Sequence, residues 1–444
     1  MKELFLFIAS LLSFVFSIPG TNALRYFLGF VLLISASFMV FRKREIFFGL
    51  LSNFAFKRIL QLLAAITIYI LIHNILISHE IMWSMQAFKG HWIVPLLFFG
   101  VGILLGTLSQ LSNYYDHRNL VTAIFIGMFL HVLYIDLVAI NKLTQEDYLI
   151  TYYGGITTSP VMANYLTNAL FTISIGELIS RLKGCSKVLQ ISNTVLYIVI
   201  ASLLFSVVIE GVRHGVIELL VVSIISASLF LYKNNSFSKN IKLVLSALII
   251  VMMTLPLIYS MNYDKRWAKL LETIPIAFET ETHLFWQDHK KPIPKFDDGS
   301  DVSGSNYLRL AWAKKGVEYI IKNPIGIGFG RNAFGHAIQM YEGVDSARGY
   351  HAHSSLIDLT IGAGLAFLFL WMLFIIYIVV YFFKSYRENP NFYAITGLLF
   401  TSAFFLRSIV DSNMRDHVFQ QFFFFLGVLL ALQVFMQLKK SESA

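Results

Sequence analysis

The residues best suited to chemistry are two histidines, two positions apart, in the segment Tyr350-His-Ala-His-Ser-Ser355. An apolar helix is predicted to begin directly after them, because Ser355-Leu-Ile-Asp358 has the spacing of a capping box, with Asp in place of Glu. The positive end of such a helix disfavours an imidazolium ion, so His353 is expected to be neutral near pH 7. A neutral imidazole can accept a proton. We therefore predict that His353 is a general base.

Other interpretations of the histidine pair stay open. The simplest is that His353 is an interfacial residue that only hydrogen-bonds its own loop. His351 could be the base instead, because it lies so close in sequence. The pair could also bind a metal ion, but no carboxylate or third ligand stands at metal-ligand spacing, and we predict no metal site. The single cysteine, Cys185, excludes an intrachain disulfide.

Two arginines could bind a phosphate group. Arg213 lies in a tight turn between two apolar segments, and Arg309 lies in a predicted loop helix. A guanidinium can hold phosphate oxygens with two parallel hydrogen bonds. For Arg213, the alternative is an ion pair with Glu210 or Glu218. For Arg309, the alternative is a solvated helix face shared with two nearby lysines.

A second group of polar residues is predicted to support or compete with this chemistry. Tyr350, Asp411 and Arg415 lie at the same ends of apolar segments as the residues above, and we predict supporting roles for them and for His351. Asp136 and Arg407 lie within apolar segments, where ionisable residues are functional hypotheses by default. They could form a transport path, but the paired short, broken spans of transporters are not recognisable.

The segment Asn323-Pro-Ile-Gly-Ile-Gly-Phe-Gly330 is rich in glycine, as phosphate-binding loops are. It lacks the preceding strand and the Lys-Ser/Thr ending of such a loop. We predict a helix stop followed by a tight turn.

The elements that must position these residues are long apolar segments. The 444-residue chain is 57% hydrophobic and only 14% charged, whereas a soluble globular chain carries about 25% charged residues. Repeated runs of about 20 apolar residues indicate membrane spans. The predicted fold is an all-α integral membrane protein with twelve spans, at 4–18, 24–41, 59–77, 92–112, 120–140, 161–179, 188–209, 216–232, 243–260, 354–383, 391–410 and 417–437.

The distribution of basic residues predicts a cytoplasmic N-terminus. Predicted cytoplasmic loops then hold most Lys and Arg residues, for example Arg42, Lys43, Arg44, Lys57 and Arg58. The short outer loops hold few, namely Lys89, Lys142, Arg213 and Arg415. This asymmetry follows the positive-inside rule, so the net charge of +9 indicates topology and not nucleic-acid binding.

The chain divides into three predicted regions. Residues 1–260 carry the first nine spans, residues 261–353 form a large outer loop, and residues 354–444 carry the last three spans and a short cytoplasmic tail. The outer loop is predicted to be mostly helical, with helices near 263–285 and 305–322. Residues 1–18 could be a signal peptide instead of a span, but the sequence after them is a poor cleavage site.

Architecture and motif together resemble the bacterial O-antigen ligase family. The predicted arrangement of twelve spans, with a large outer loop before a late span, is similar to the architecture of that family. Its signature is a His, then Asn, Ser or Gln, nine residues, a Gly, two residues and a small residue. Here His353-Ser354 is followed by nine residues and Gly364. Phe367 departs from the small residue at the last position, which weakens the match at the packing end of the motif.

Two further features look like the same family. An arginine after a short turn corresponds to Arg213, and an Arg-x-x-Trp pattern corresponds to Arg309 to Trp312. The segment from Asn323 to Gly328 is similar to the Asn-Pro-x-Gly-x-Gly that follows. The resemblance implies the fold of a GT-C type glycosyltransferase.

The resemblance also implies an activity. The donor would be a glycan linked to undecaprenyl diphosphate, and the acceptor would be lipid A–core oligosaccharide at the periplasmic face of the bacterial inner membrane. The product would be complete lipopolysaccharide. Related branches are O-antigen polymerases, which use a second lipid-linked glycan as acceptor, and protein O-oligosaccharyltransferases. A lipid-linked glycan flippase or secondary transporter is the alternative outside the enzymes.

The implied mechanism gives each candidate a role. Arg213 and Arg309 would stabilise the leaving diphosphate, while His353 would remove the proton of the acceptor hydroxyl. A single displacement of this kind inverts the anomeric centre. We expect no metal ion, ATP or other cofactor, because two guanidinium groups supply the positive charge and the donor bond supplies the energy.

Overall fold

The fold was analysed in a computed structural model, which describes residues 2–42, 44–110, 116–232, 238–263, 267 and 269–442. Lys43, expected in a cytoplasmic loop, lies outside these residues. The first eleven helices are α1 (Lys2–Val15), α2 (Asn22–Phe41), α3 (Arg44–Ser52), α4 (Phe54–Leu76), α5 (Ile81–Phe88), α6 (Val94–Leu108), α7 (His117–Glu146), α8 (Pro160–Leu182), α9 (Asn193–Glu210), α10 (Arg213–Leu231) and α11 (Lys239–Tyr263). The remaining helices are α12 (Leu270–Phe278), α13 (Gly304–Lys322), α14 (Ala333–Glu342), α15 (Ser355–Glu388), α16 (Phe392–Val410) and α17 (Asp416–Glu442). Within the described ranges, the β-structure is confined to one isolated bridge, between Lys295 and Asp301.

Nine helical segments of the described chain are long and apolar enough to cross a membrane. They comprise α2, α4, α5 continued by α6, α7, α9, α10, α15, α16 and α17. The chain is therefore an all-α, multi-pass membrane protein. Three more predicted spans correspond to α1, α8 and α11, which are helices but are not among the nine. The count of twelve spans thus stays a prediction.

The core lies around α17, whose apolar window is entirely buried. Beside it, the indole of Trp92 is 1% exposed. Its ring centroid lies 6.3 Å from that of Phe367, 6.2 Å from Trp371, and 6.2 Å from Phe423. Phe367, which departs from the family signature, is itself buried in this cluster. A large side chain therefore packs the junction between α15 and its neighbours at this position.

Helix α15 is broken at Gly364, where φ is 79° and ψ is 176°. The backbone groups freed by the break pair with residues 323–330, which we call the strap. Ile327 N donates to Ile361 O at 3.1 Å, and Leu365 N donates to Pro324 O at 2.8 Å. Irregular backbone at membrane depth requires partners of this kind.

The strap confirms the predicted helix stop, because α13 ends at Lys322 and Gly326 N donates to Asn323 O at 3.1 Å. Gly326 has a φ of +86°, and a Cβ atom there would lie 2.4 Å from Gly362 O. From the other side, His73 Nε2 lies 2.6 Å from Ile325 O. The glycines of this motif therefore allow close backbone packing against α15.

The structure agrees with one of the two predicted loop helices and not with the extent of the other. The second, near 305–322, is confirmed as α13. The first, near 263–285, is wrong in extent, because α12 covers only Leu270–Phe278. The chain turns after Phe278, and Trp286 Nε1 fixes the turn by donating to Thr280 O at 2.8 Å. Helix α14 was not predicted.

Candidate active site

One face of α13 organises the candidate site. Asn306, Arg309 and Trp312 follow one another at a spacing of three, so their side chains lie on neighbouring turns of one face. Each of the three contacts a different distant segment of the chain. We call the ends of the bundle helices that lie next to residues 304–354 the loop face.

Arg213, the first residue of α10, contacts the first turn of α13. Its Nη1 donates to Asn306 Oδ1 at 2.8 Å, and its Nη2 lies 3.3 Å from Ser305 Oγ. Its guanidinium also lies 5.8 Å from the ring centroid of Trp267. Arg213 is therefore attached to the same helix that carries Arg309.

Glu210 and Glu218, the alternative partners expected for Arg213, are bonded deeper in the bundle. Glu210 accepts from Asn164 Nδ2 at 2.7 Å and from Thr167 Oγ1 at 2.5 Å. Glu218 accepts from Asn168 Nδ2 at 2.7 Å. The ion-pair interpretation of Arg213 finds no support in these contacts.

Arg309 joins α13 to the end of α16. Its Nη1 donates to Val410 O at 3.1 Å. The next residue, Asp411, places Oδ2 at 2.6 Å from Nε2 of His214, which adjoins Arg213. Burial raises the pKa of Asp411, but His214 and the positive charges of Arg407 and Arg309 hold it well below its usual range. The carboxylate therefore stays ionised beside His214 and Arg407.

His353 lies against the third residue of the α13 face. Its ring stacks on Trp312 with centroids 5.4 Å apart and planes 17° apart. Trp312 is fixed in turn, because its Nε1 donates to Trp286 O at 2.7 Å. The backbone of His353 has a φ of +50°, which turns the chain sharply before α15. The imidazole is therefore held by both its ring contact and its backbone.

The pKa of His353 is lowered to about 3, mainly by burial, and further by the neighbouring His351 and the positive charge of Arg309. The expected neutral state near pH 7 agrees with this value. The main cause is burial and not the helix end that the sequence suggested. The histidine is thus unprotonated and able to accept a proton.

His351 supports His353 through its own ring. The two ring centroids lie 4.3 Å apart, and His351 Nδ1 accepts from the backbone N–H of His353 at 3.3 Å. Burial lowers the pKa of His351 to about 4, with a further contribution from Arg415. Across the described ranges, no group of three or more His, Cys, Asp or Glu side chains could hold a metal ion.

The predicted capping box is wrong by one residue. Ser354 is the N-cap of α15, and its Oγ accepts from Ile357 N at 3.3 Å. Ser355 was expected in that role, but its Oγ accepts from Met414 N at 2.9 Å instead. The serine after the cap is thus used to hold the 411–415 turn.

Asp358 also acts differently from the expected capping partner. Its Oδ2 accepts from Ala352 N, and its Oδ1 accepts from Phe334 N, both at 3.1 Å. The carboxylate therefore ties the segment before His353 to the start of α14. This contact fixes the histidine loop and not the helix terminus itself.

Tyr350 and Arg415 border the histidine pair in different ways. Tyr350 stacks on His289, with centroids 4.4 Å apart, and packs against Trp312 at 5.7 Å. Its contacts are aromatic, which places it in the wall of the site. Arg415 makes no side-chain hydrogen bond or ion pair with any other described residue, although its positive charge lowers the pKa of His351.

Arg407 lies directly beneath the site, a position that the sequence did not predict. It is 1% exposed, and its Nη1 donates to Asn164 Oδ1 at 2.5 Å and to Glu218 Oε2 at 2.9 Å. Its Nε lies 3.5 Å from Asp411 Oδ2. The i,i+4 spacing of Arg407 and Asp411 was the sequence signal that could have predicted their contact.

Asp136 belongs to a different contact. It accepts from Ser202 and, at 2.5 Å, from Ser206 Oγ, both on α9. Its carboxylate is therefore satisfied locally. Together with the pairing of Arg407, this arrangement does not resemble a chain of unpaired groups leading through the bundle.

Comparison with known protein families gives one match. Residues 198–372 match the family model Wzy_C, described as O-antigen ligase. This part of the chain is similar to the O-antigen ligase family. The match points to a glycosyltransferase-like enzyme of the O-antigen ligase and polymerase superfamily, in lipopolysaccharide biosynthesis. No curated protein matches the chain significantly.

The matched segment contains part of the site only. Arg213, Arg309 and His353 lie inside it, together with Trp312. Asp411 and Arg415 lie beyond it and join the site through the fold. The sequence analysis named Trp312 only as the end of the Arg-x-x-Trp pattern and did not consider Asn306. Their spacing of three from Arg309 was the signal that could have found them.

Proposed function

We propose that the protein is an O-antigen ligase, which transfers a glycan from undecaprenyl diphosphate to lipid A–core oligosaccharide. The observation that carries this proposal is the α13 face, which links Arg213, Arg309 and the ring of His353. Asn306 and Trp312 are six residues apart, or about 9 Å along the helix axis. A glycosyl diphosphate spans a distance of this order, so its two ends can meet a guanidinium and the imidazole.

The two arginines form the proposed diphosphate clamp. Negative charge develops on the bridging phosphate oxygen as the bond to the sugar breaks, and fixed cations stabilise it. Arg309 retains free N–H groups besides the one donated to Val410 O, and its planar fork suits phosphate oxygens. Arg213 adds a second guanidinium one helical turn away along α13.

His353 is the proposed base. The acceptor hydroxyl oxygen forms a bond to C1 of the donor sugar, and the bond from C1 to the diphosphate oxygen breaks. The hydroxyl proton passes to the imidazole of His353, and the diphosphate leaves with the bonding electrons. Attack opposite the leaving group inverts the anomeric centre, and the reaction requires neither a metal ion nor ATP.

The low pKa of the free histidine fits a base that strengthens when the donor binds. A pKa of about 3 makes His353 a weak base in the empty site. Bound diphosphate would neutralise the charge of Arg309, which lowers this pKa, and would therefore raise it toward the pH of the reaction. The donor thus activates its own base.

The location of the site is part of the proposal. Basic residues concentrated in the predicted cytoplasmic loops support a periplasmic loop face in the inner membrane. The proposed architecture has twelve spans with a periplasmic loop at 261–353, similar to GT-C type glycosyltransferases. The family match is shared by O-antigen polymerases, which are the second candidate.

One assay separates the candidate functions. Purified protein is incubated with lipid-linked glycan and rough lipopolysaccharide, and the products are resolved on a gel. A ladder of core-linked glycan is expected from a ligase. Longer lipid-linked chains without core attachment would identify a polymerase instead. Movement of donor across vesicles without either product would identify a flippase or transporter.

A further inference from the structure

The second half of α13 and the strap leave three large apolar side chains exposed at a spacing of four residues. Val317 is 49% exposed and Ile321 is 74% exposed, and both lie on one face of the helix. Ile325, four residues further along in the strap, is 61% exposed. We call these three residues the ridge. Single exposed apolar side chains are common, whereas a group of them marks an interaction surface.

The polar side chains in this half of α13 face the outer loop instead. Lys322 Nζ lies 4.1 Å from the ring centroid of Tyr341, on α14. Glu318 Oε2 lies 3.1 Å from Nζ of Lys315, whose side chain is buried. The helix therefore has a polar side that contacts the loop and an apolar side that does not. This division is typical of a helix that lies at a membrane interface.

The strap joins the ridge to the surface of two spans. Ile325 O lies 2.6 Å from Nε2 of His73 on α4, and Pro324 O accepts from Leu365 N on α15 at 2.8 Å. Both helices are long and apolar enough to cross a membrane. Within about one helical turn of these contacts, the exposed apolar side chains of the two helices are Ile72, Leu76, Leu365 and Phe369. The ridge is therefore continuous with a surface that faces lipid.

The length of α15 places the strap near the edge of the hydrocarbon core. From Leu365, directly after the break, to Glu388 the helix is about 36 Å long, at about 1.5 Å per residue. The hydrocarbon core of a bilayer is about 30 Å thick. On α4, His73 lies in the last turn before the helix ends at Leu76. Both helices thus indicate that the strap lies at the boundary of the core on the side of the loop face.

We propose that the ridge inserts into the leaflet next to the loop face, among lipid acyl chains close to the headgroups. Interfacial helices bury their apolar faces by about 5–10 Å in this zone. Arg309 precedes Ile321 on the same helix by about 18 Å along the axis. Insertion of the ridge therefore fixes the height of α13, and of this guanidinium, relative to the membrane. The inference concerns a membrane contact and does not depend on the ligase function.

Labelling of single cysteines in a bilayer tests this contact. The one native cysteine is removed by Cys185→Ser, and an environment-sensitive fluorophore is attached to Ile321→Cys in lipid nanodiscs. We expect emission at shorter wavelength than in water, quenching by lipids that carry a spin label near the top of the acyl chain, and protection from aqueous iodide. A label on Ile325→Cys should respond in the same way. A label on Val317→Cys, which is farther from the strap, should be quenched less by the lipid.

Two further positions serve as controls. Lys322→Cys is the matched control, because it is the next residue of the same helix and its native side chain contacts Tyr341. Iodide should quench a label there, and the spin-labelled lipid should not. Phe369→Cys, on α15, provides the reference for a lipid-facing position.

Two results would overturn the inference. The first is iodide quenching at Ile321→Cys as strong as that at Lys322→Cys, because the ridge would then face water. The second is protection from both quenchers together with disulfide-linked dimers of Ile321→Cys after mild oxidation, because a second copy of the chain would then cover the ridge.

Discussion

The break in α15 provides the sharpest test of how the site is positioned, through the variant Gly364→Ala. Gly364 has φ 79° and ψ 176°, a region that only glycine occupies readily. A Cβ atom there would lie 2.4 Å from Ile325 O and 2.8 Å from Pro324 O. Because both neighbours are backbone atoms, rotation of a side chain cannot relieve the contact. The strap would have to move away from α15.

The expected cost follows from these contacts. The backbone conformation alone costs a residue with a Cβ about 1–3 kcal/mol. Displacing the strap weakens three backbone hydrogen bonds, of Ile327 N, Gly328 N and Leu365 N, at 3.1, 2.8 and 2.8 Å. Each contributes about 0.5–1.5 kcal/mol. We therefore expect a loss of about 3–7 kcal/mol, a large fraction of the 5–15 kcal/mol that stabilises a typical protein.

Thermal unfolding of the purified protein in mild detergent measures this loss, and the ligase assay measures its effect on His353. We expect Gly364→Ala to unfold at a clearly lower temperature and to lose most of its activity. Gly349→Ala is the matched control, because nothing lies within 4 Å of its added Cβ and its backbone is not in the left-handed region. If Gly364→Ala unfolds at the wild-type temperature, the proposed role of the strap is refuted.

Three further variants test the proposed chemistry. His353→Ala should lower kcat about 100- to 10,000-fold with donor binding retained, and wild-type turnover by normally inserted protein would exclude this base. Arg213→Lys should lower kcat/KM for the donor about tenfold or more, because the bidentate fork is lost although the charge stays; equal steady-state kinetics would remove Arg213 from the clamp. Trp312→Ala should raise the pKa of His353 from about 3 toward its ordinary value, because burial is the main cause of the lowering. The acid limb of the pH profile of kcat/KM should then move to higher pH. In Trp312→Phe, which keeps an aromatic ring, this limb should stay at low pH. If both variants have the same acid limb, the ring of Trp312 does not contribute to the low pKa of His353.

Local patterns in the sequence predicted the elements well. The helix at 305–322 and the stop at Asn323 follow from side-chain periodicity and from an Asn-Pro-x-Gly pattern, and both are confirmed. The capping residue was misplaced, because a distant N–H group, that of Met414, recruits Ser355. A local pattern cannot anticipate such competition.

Contacts between distant segments were beyond the reach of sequence reasoning. Arg213 donates a hydrogen bond to Asn306, which is 93 residues away in the sequence. Nothing in the periodicity of either helix specifies that partner. The neutrality of His353 was expected for a local reason, yet its main cause is burial, to which the ring of Trp312 contributes. Identities of site residues were thus predictable from type and spacing, whereas their partners depend on the tertiary fold.

The attachment of α13 at both ends has a consequence for engineering. At one end this helix carries the contacts of Arg213 and Arg309, and at the other its continuation is hydrogen-bonded into the break of α15. A rigid helix of 19 residues, about 28 Å long, transmits a tilt from either end to the other. Substitutions near Arg213 and Arg309 that change donor selectivity would therefore also shift the imidazole of His353. Variants with new glycan preferences should be sought in pairs, with a compensating change in the strap.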